Sequence, residues 1–238
     1  DLLALGARLP ARALLGTSSW SFPGWAGLVY AARATEGELS RRGLSAYARH
    51  PVLRAVGIDR TFYAPIAVED FRAYAEQVPA GFRFLVKAPA AVSDAALRDE
   101  RGRATERNPG FLDARWAIDQ FVAPALDGLG ARAGPLVFQL SPLPREYAFD
   151  PPKFAARLHA FLAAIRAAAP RALLAVEVRN AEVVGAPLAQ ALRDTGARYC
   201  FGVHARMPTV AEQAERMAAV ADGPLVARWS LHAGFQYE

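Results

Sequence analysis

Short apolar runs closed by turn residues recur along the chain, and longer segments with apolar positions three or four apart lie between most of them. The runs predict strands over 14–20, 56–63, 82–89, 136–140, 173–179, 199–203 and 225–230. The spaced segments predict helices over 68–78, 113–129, 151–168, 181–195 and 208–221. The clearest is 151–168: Asp150 offers an N-cap, and Pro151 sits where a missing N–H costs nothing. Phe154, Leu158, Phe161, Leu162 and Ile165 share one face of it, and Pro170 ends it. Pro124 predicts a break within 113–129. Strand and helix in alternation predict a parallel sheet in an α/β fold. The stretch 90–110 is polar and charged with no apolar period, and is expected as a long loop over the mouth of a site, or as disorder.

No composition shift marks a boundary, so 1–238 reads as a single α/β domain. A TIM-type (β/α) barrel has eight strands. Seven are visible, the chain begins at Asp1 without a methionine, and it stops at Glu238 just after the seventh. The expectation is a TIM-type barrel whose eighth strand–helix unit is missing or trimmed, with an open sheet as the alternative.

Alternate strand residues point to opposite faces, and in a barrel the apolar set faces the helices. Val176 and Val178 then turn Glu177 and Arg179 inward, and Phe82, Phe84 and Val86 turn Lys87 inward. Leu136, Phe138 and Leu140 do the same for Gln139, and Val56 and Ile58 for Asp59. Tyr199, Phe201 and Val203 are placed outward, leaving His204 on the inward register, while Leu225, Ala227 and Trp229 are placed outward around an inward Arg228. Asp59, Lys87, Gln139, Glu177, Arg179, His204 and Arg228 are thus sent toward one space, mostly at carboxyl ends of strands, where barrels build active sites. Their charges sum to +1 with His204 neutral, which favours an anionic or phosphorylated ligand.

Composition narrows the classes. With 53% apolar residues and a net charge of +5, disorder is excluded. The single cysteine, Cys200, excludes a disulfide framework and a cysteine-rich metal site, and suits a reducing cytoplasm. No apolar run reaches the ~18 residues a membrane span needs. Of the basic residues 26 are arginines and two are lysines, interspersed with acids, which reads as a solvated surface.

Gly16-Thr17-Ser18-Ser19-Trp20-Ser21-Phe22-Pro23-Gly24-Trp25 resembles the signature of the YecE-like family, the domain of unknown function 72. Thr61-Phe62-Tyr63, Gly81 to Pro89, Phe138 to Pro142, Glu177-Val178-Arg179-Asn180 and Arg228 to His232 resemble its later strands, in order, from about Leu14 to the end. The resemblance implies a TIM-type barrel with no established activity. Departures fall at Gly57 and Asp59, where many relatives carry glutamate and asparagine, at Ser93-Asp94, where many carry Thr-His, and at Asn180, where many carry histidine.

The candidate catalytic pair is Lys87 and Glu177, for proton transfer. Lysine, unlike arginine, also serves as a Schiff-base nucleophile; a structural ion pair with Glu177 is the alternative. Arg179 and Arg228 are candidates to hold an anion, Gln139 and Asp59 to orient it, and His204 and His232 to line the site. Trp20 and Tyr63 are candidates to stack on a sugar or a base, or to plug the mouth. No cofactor is expected: no G-x-G-x-x-G or Walker A loop is present, and a divalent metal at Glu177, His204 and His232 is the lesser alternative. The expected function is acid–base chemistry of isomerase, lyase or hydrolase type, at the carboxyl-end mouth, on a small polar or anionic substrate, phosphorylated or sugar-like among the choices. A nucleic-acid-binding or repair-type barrel and a non-catalytic ligand-binding module are the alternatives.

Overall fold

A computed structural model describes residues 1–204 and 206–230. The chain folds as two compact units, one of residues 1–87 with 123–134, the other of 88–122 with 135–238.

In the first unit, strands β1 (Leu15–Thr17), β2 (Leu53–Ile58) and β3 (Arg83–Lys87) pair in parallel in that order. The helix Val68–Glu76 packs on the helix Ala123–Leu129, burying Phe71 and Leu129. Strand β2 starts and stops earlier than the predicted 56–63. Arg60–Phe62 instead form a 3-10 turn, held by the buried Thr61 hydroxyl, which lies 2.8 Å from the Ile58 carbonyl and 2.6 Å from that of Lys87. Thr61, within the predicted strand 56–63, is thus a turn anchor.

In the second unit, the stretch 90–110, expected as a loop or as disorder, contains short regular pieces joined by turns. A helical turn at Ala90–Ser93 leads into the antiparallel hairpin β4 (Ala96–Arg98) and β5 (Ala104–Arg107). The Asn108 amide ties the hairpin's base by donating to the carbonyls of Ala91 and Asp94 at 2.9 and 2.8 Å. Strand β6 (Ala133–Gln139), part of this unit from Pro135 on, is followed by β7 (Leu174–Glu177), β8 (Arg198–Val203) and β9 (Val226–Trp229), each parallel to the next.

The helix Pro151–Ala168 has the predicted limits, and the Asp150 carboxylate accepts from the Lys153 N–H at 3.0 Å. Its predicted apolar face is buried, with Phe161 edge-on to Phe138 of β6. The predicted helix 181–195 divides into a 3-10 turn, Ala181–Val183, and a helix, Ala186–Thr195, ended by Gly196 at φ 65°. The predicted break in 113–129 is a π turn at Ile118–Val122, just before Pro124, which has no N–H to continue an α ladder. Trp229 and Leu225, expected against helices, are 73% and 74% exposed. No described helix follows β9 to cover them. The outward placement of Phe201 is also only half met, since it is half-buried while Cys200 beside it is fully buried. None of the described helices is long and apolar enough to cross a membrane.

Candidate functional site

Four predicted site residues come together in the second unit. Gln139 closes β6 and Glu177 closes β7, opposite each other in register. Arg228 sits on β9 opposite Gly202 of β8, and Arg179 follows β7 by two residues. Val176 and Val178 are buried, so the pleat sends Glu177 to the other face, as the sequence predicts. These are carboxyl-end positions of parallel strands, where sheets of this kind gather ligands.

Glu177 is 1% exposed, and both guanidiniums are largely buried. Arg228 Nη1 donates to Glu177 Oε2 at 2.9 Å and to Gln139 Oε1 at 2.7 Å. Arg179 Nη2 donates to the same Gln139 oxygen at 3.3 Å and forms an ion pair with Glu177 Oε1 at 2.6 Å. That last contact is ionic without hydrogen-bond geometry. Glu177 Oε1 and Arg179 Nη1 are therefore both buried with no hydrogen-bond partner among the described residues. Leaving such groups unsatisfied is costly, more so when they are charged. Among the described residues, two guanidiniums face the Glu177 carboxylate.

His204 follows β8 and adds no charge: burial, then the nearby positive charges of Arg179 and Arg206, hold its pKa below the ordinary value. Its Nδ1 accepts from the Arg206 N–H at 3.2 Å, which leaves the proton on Nε2. Cys200, wholly buried on β8, has its thiol pKa pushed far up by burial and by the Glu177 charge, so it offers no thiolate.

The sequence reading missed Gln213. It is fully buried on the helix Val210–Arg216; its Oε1 accepts from Tyr199 Oη and the Gly202 N–H, and its Nε2 donates to the carbonyls of Gly202 and Pro208. It thereby fixes the end of β8 beside Glu177. The only signal was an amide set inside a helix opened by the Thr209/Glu212 capping box.

Lys87, Asp59, Trp20 and Tyr63 belong to the first unit. Lys87 ends β3 with its ammonium 3.8 Å from the centroid of the Phe62 ring. Asp59 follows β2 and precedes the 3-10 turn. Trp20 is a core residue: it is 4% exposed, edge-on to Tyr74, and donates its indole N–H to the Leu39 carbonyl at 3.1 Å. That corrects its placement as a stacking surface. Tyr63 is 86% exposed. His232 lies outside the described residues. Among the described residues no three histidine, cysteine or carboxylate side chains are grouped to hold a metal ion.

The departures from the family pattern have local reasons. A Cβ at Gly57 would come within 2.9 Å of the Ser18 carbonyl oxygen, so backbone fills the space a side chain would need. Ser93 bonds the Pro89 carbonyl, Asp94 pairs with Arg98, and Asn180 accepts from the Leu143 N–H at 2.7 Å. Two open clefts, of 380 and 450 Å³, lie apart from the cluster's residues: one at Pro23 and Arg33, the other along the hairpin, where Arg98 and Arg107 already pair with Asp94 and Glu146.

The model of a family described as a protein of unknown function, DUF72, matches residues 14–237. Among solved structures, a DUF72 family protein from Enterococcus faecalis is 16% identical with a TM-score of 0.49, over 79% of this chain and 60% of that one. A DUF72 family protein from Thermotoga maritima is 18% identical with a TM-score of 0.48, over 79% of this chain and 63% of that one. The chain thus spans under two thirds of the length of either. No curated protein matches it.

Proposed function

The chain belongs to the DUF72 family, and we propose that it is an enzyme that binds a small anionic substrate and moves a proton at Glu177. One observation carries this: a buried cluster in which two guanidiniums meet the Glu177 carboxylate and Arg179 Nη1 and Glu177 Oε1 both lack hydrogen-bond partners among the described residues. A burial of this kind is destabilising unless something completes it. The guanidiniums of Arg179 and Arg228 would hold the substrate's anionic group, and Gln139, which accepts from both, keeps them aligned.

Glu177 Oε1 takes a proton from a C–H or O–H bond of the substrate. The electron pair of that bond stays on the substrate, and the carboxylate becomes neutral. The charge of the cluster with its substrate is unchanged; it moves from the glutamate to a substrate oxygen, where the same guanidiniums stabilise it. Return of the proton to another atom gives an isomer, and expulsion of a leaving group gives a lyase product. The sequence expectation that Lys87 shares this transfer is not part of the proposal, which stands on the second unit alone.

The test incubates the protein in D₂O with a panel of small carboxylates and phosphate monoesters and follows deuterium incorporation by NMR. Wild type is expected to exchange or convert at least one compound, and Glu177→Gln to lower that rate by about 10²–10⁴, the usual contribution of a general base. Unchanged turnover in Glu177→Gln removes the catalytic role, and binding without exchange across the panel leaves a ligand-binding module.

A further inference from the structure

Resting on that reading of the cluster, we infer that the ligand is a small 2-hydroxy acid: an anionic oxygen for Arg179 Nη1 and, on the neighbouring carbon, a hydroxyl proton for Glu177 Oε1. The two atoms without hydrogen bonds have opposite needs, and Oε1 has only the ionic contact with Nη2. Nη1 is a donor lacking an acceptor, and Oε1 is an acceptor lacking a donor. A bare anion satisfies the first and sets its negative oxygen beside the second, where like charges repel. A neutral alcohol satisfies the second and leaves the guanidinium unmet. A molecule carrying both groups answers both.

The spacing follows from one guanidinium. Nη2 of Arg179 lies 2.6 Å from Oε1, and Nη1 is the other terminal nitrogen of the same planar group. The ligand's donor and acceptor oxygens must then be close neighbours, as they are on adjacent carbons. At Gly202 the side of the carboxylate facing β8 carries no side chain, and a Cβ there would stand 3.8 Å from Oε1, in ordinary contact. His204, two residues on, lies within electrostatic reach of both Arg179 and Glu177.

The experiment measures binding of glycolate and acetate, which differ by the hydroxyl alone, by calorimetry on the whole chain at one pH and salt, with inorganic phosphate as a further probe. Glycolate is expected to bind about tenfold tighter than acetate, the value of one charge-assisted hydrogen bond. Glu177→Gln, which removes the charged acceptor, should erase that preference. If that variant does not fold, Gly202→Ala serves: its methyl group narrows the approach to Oε1 and should reduce the preference with every charge kept. Equal binding of glycolate and acetate by wild type overturns the hydroxyl assignment and leaves the anion site standing, as does phosphate binding tighter than glycolate. Binding of none of the three, with Arg179→Lys indistinguishable from wild type, overturns the anion site as well.

Discussion

Glu177 is where sequence and structure agree most closely, and the reason is local. Two valines either side of it must be buried, the pleat has period two, and so the carboxylate is sent the other way. Its partners follow less directly, since Gln139, Arg179 and Arg228 are far apart in the chain and meet only through strand order. Breaking such a buried pair by removing one partner is expensive because the charge left behind stays buried. Glu177→Gln should therefore cost about 3 kcal/mol of stability, within the range for buried pairs, read as a lowered urea midpoint at unchanged slope. His204 gives a second prediction. Its pKa is depressed in the folded state, so as pH falls through the ordinary value of 6.5 the unfolded chain takes up the proton first. The stability contributed by neutral His204 is full above that pH and is lost as pH falls toward its folded pKa. Titration of its ring protons by NMR should show a midpoint below 6.5 in the protein alone, and a higher one with phosphate bound, since a nearby anion favours the imidazolium. An unmoved midpoint on adding saturating phosphate would separate His204 from the anion.

At the level of elements, what the sequence shows depends on whether an element has one buried face. The helix Pro151–Ala168 has one, and its limits are legible to the residue because Asp150 caps it and proline opens it. The hairpin β4–β5 has none. Its residues are mostly exposed, so it has no apolar period to read, and it is held instead by Asp94 with Arg98, Asp99 with Arg103, and the Asn108 amide. Polar anchors of this kind are invisible to a hydrophobic pattern. Gln213 is another, and it makes a testable joint between the helix Val210–Arg216 and the end of β8. Gln213→Ala strands the N–H and carbonyl of Gly202 and the hydroxyl of Tyr199 in a dry interior, at a cost of about 2 kcal/mol or more. Because β8 carries Cys200, wholly buried and poorly ionised, the consequence has a local readout. Wild-type Cys200 should resist a thiol reagent until the chain unfolds. In Gln213→Ala it should react faster than the loss of global stability alone requires, reporting local opening of β8.

Across the whole molecule the question is which positive charge matters. The net charge is +5, carried almost wholly by arginines spread among acids. A surface of that kind attracts anions weakly and at long range, and the attraction fades once the Debye length falls to about 8–10 Å near physiological salt. The Arg179–Glu177–Arg228 cluster is a different source, since its guanidiniums are mostly shielded from solvent and act at hydrogen-bond distance. Raising the salt separates the two. An oligonucleotide held by the surface releases counterions, so its affinity should fall steeply and log-linearly with salt concentration. A small carboxylate held at the cluster engages a buried ion group with few counterions to release, so its affinity should fall several-fold at most between 50 and 500 mM chloride, in part through direct competition by chloride. Fluorescence anisotropy with a labelled oligonucleotide and calorimetry with glycolate, run over that same salt series, make the comparison on one preparation. Oligonucleotide binding that persists at high salt while the carboxylate affinity collapses would move the function from the buried cluster to the basic surface, in favour of the nucleic-acid alternative.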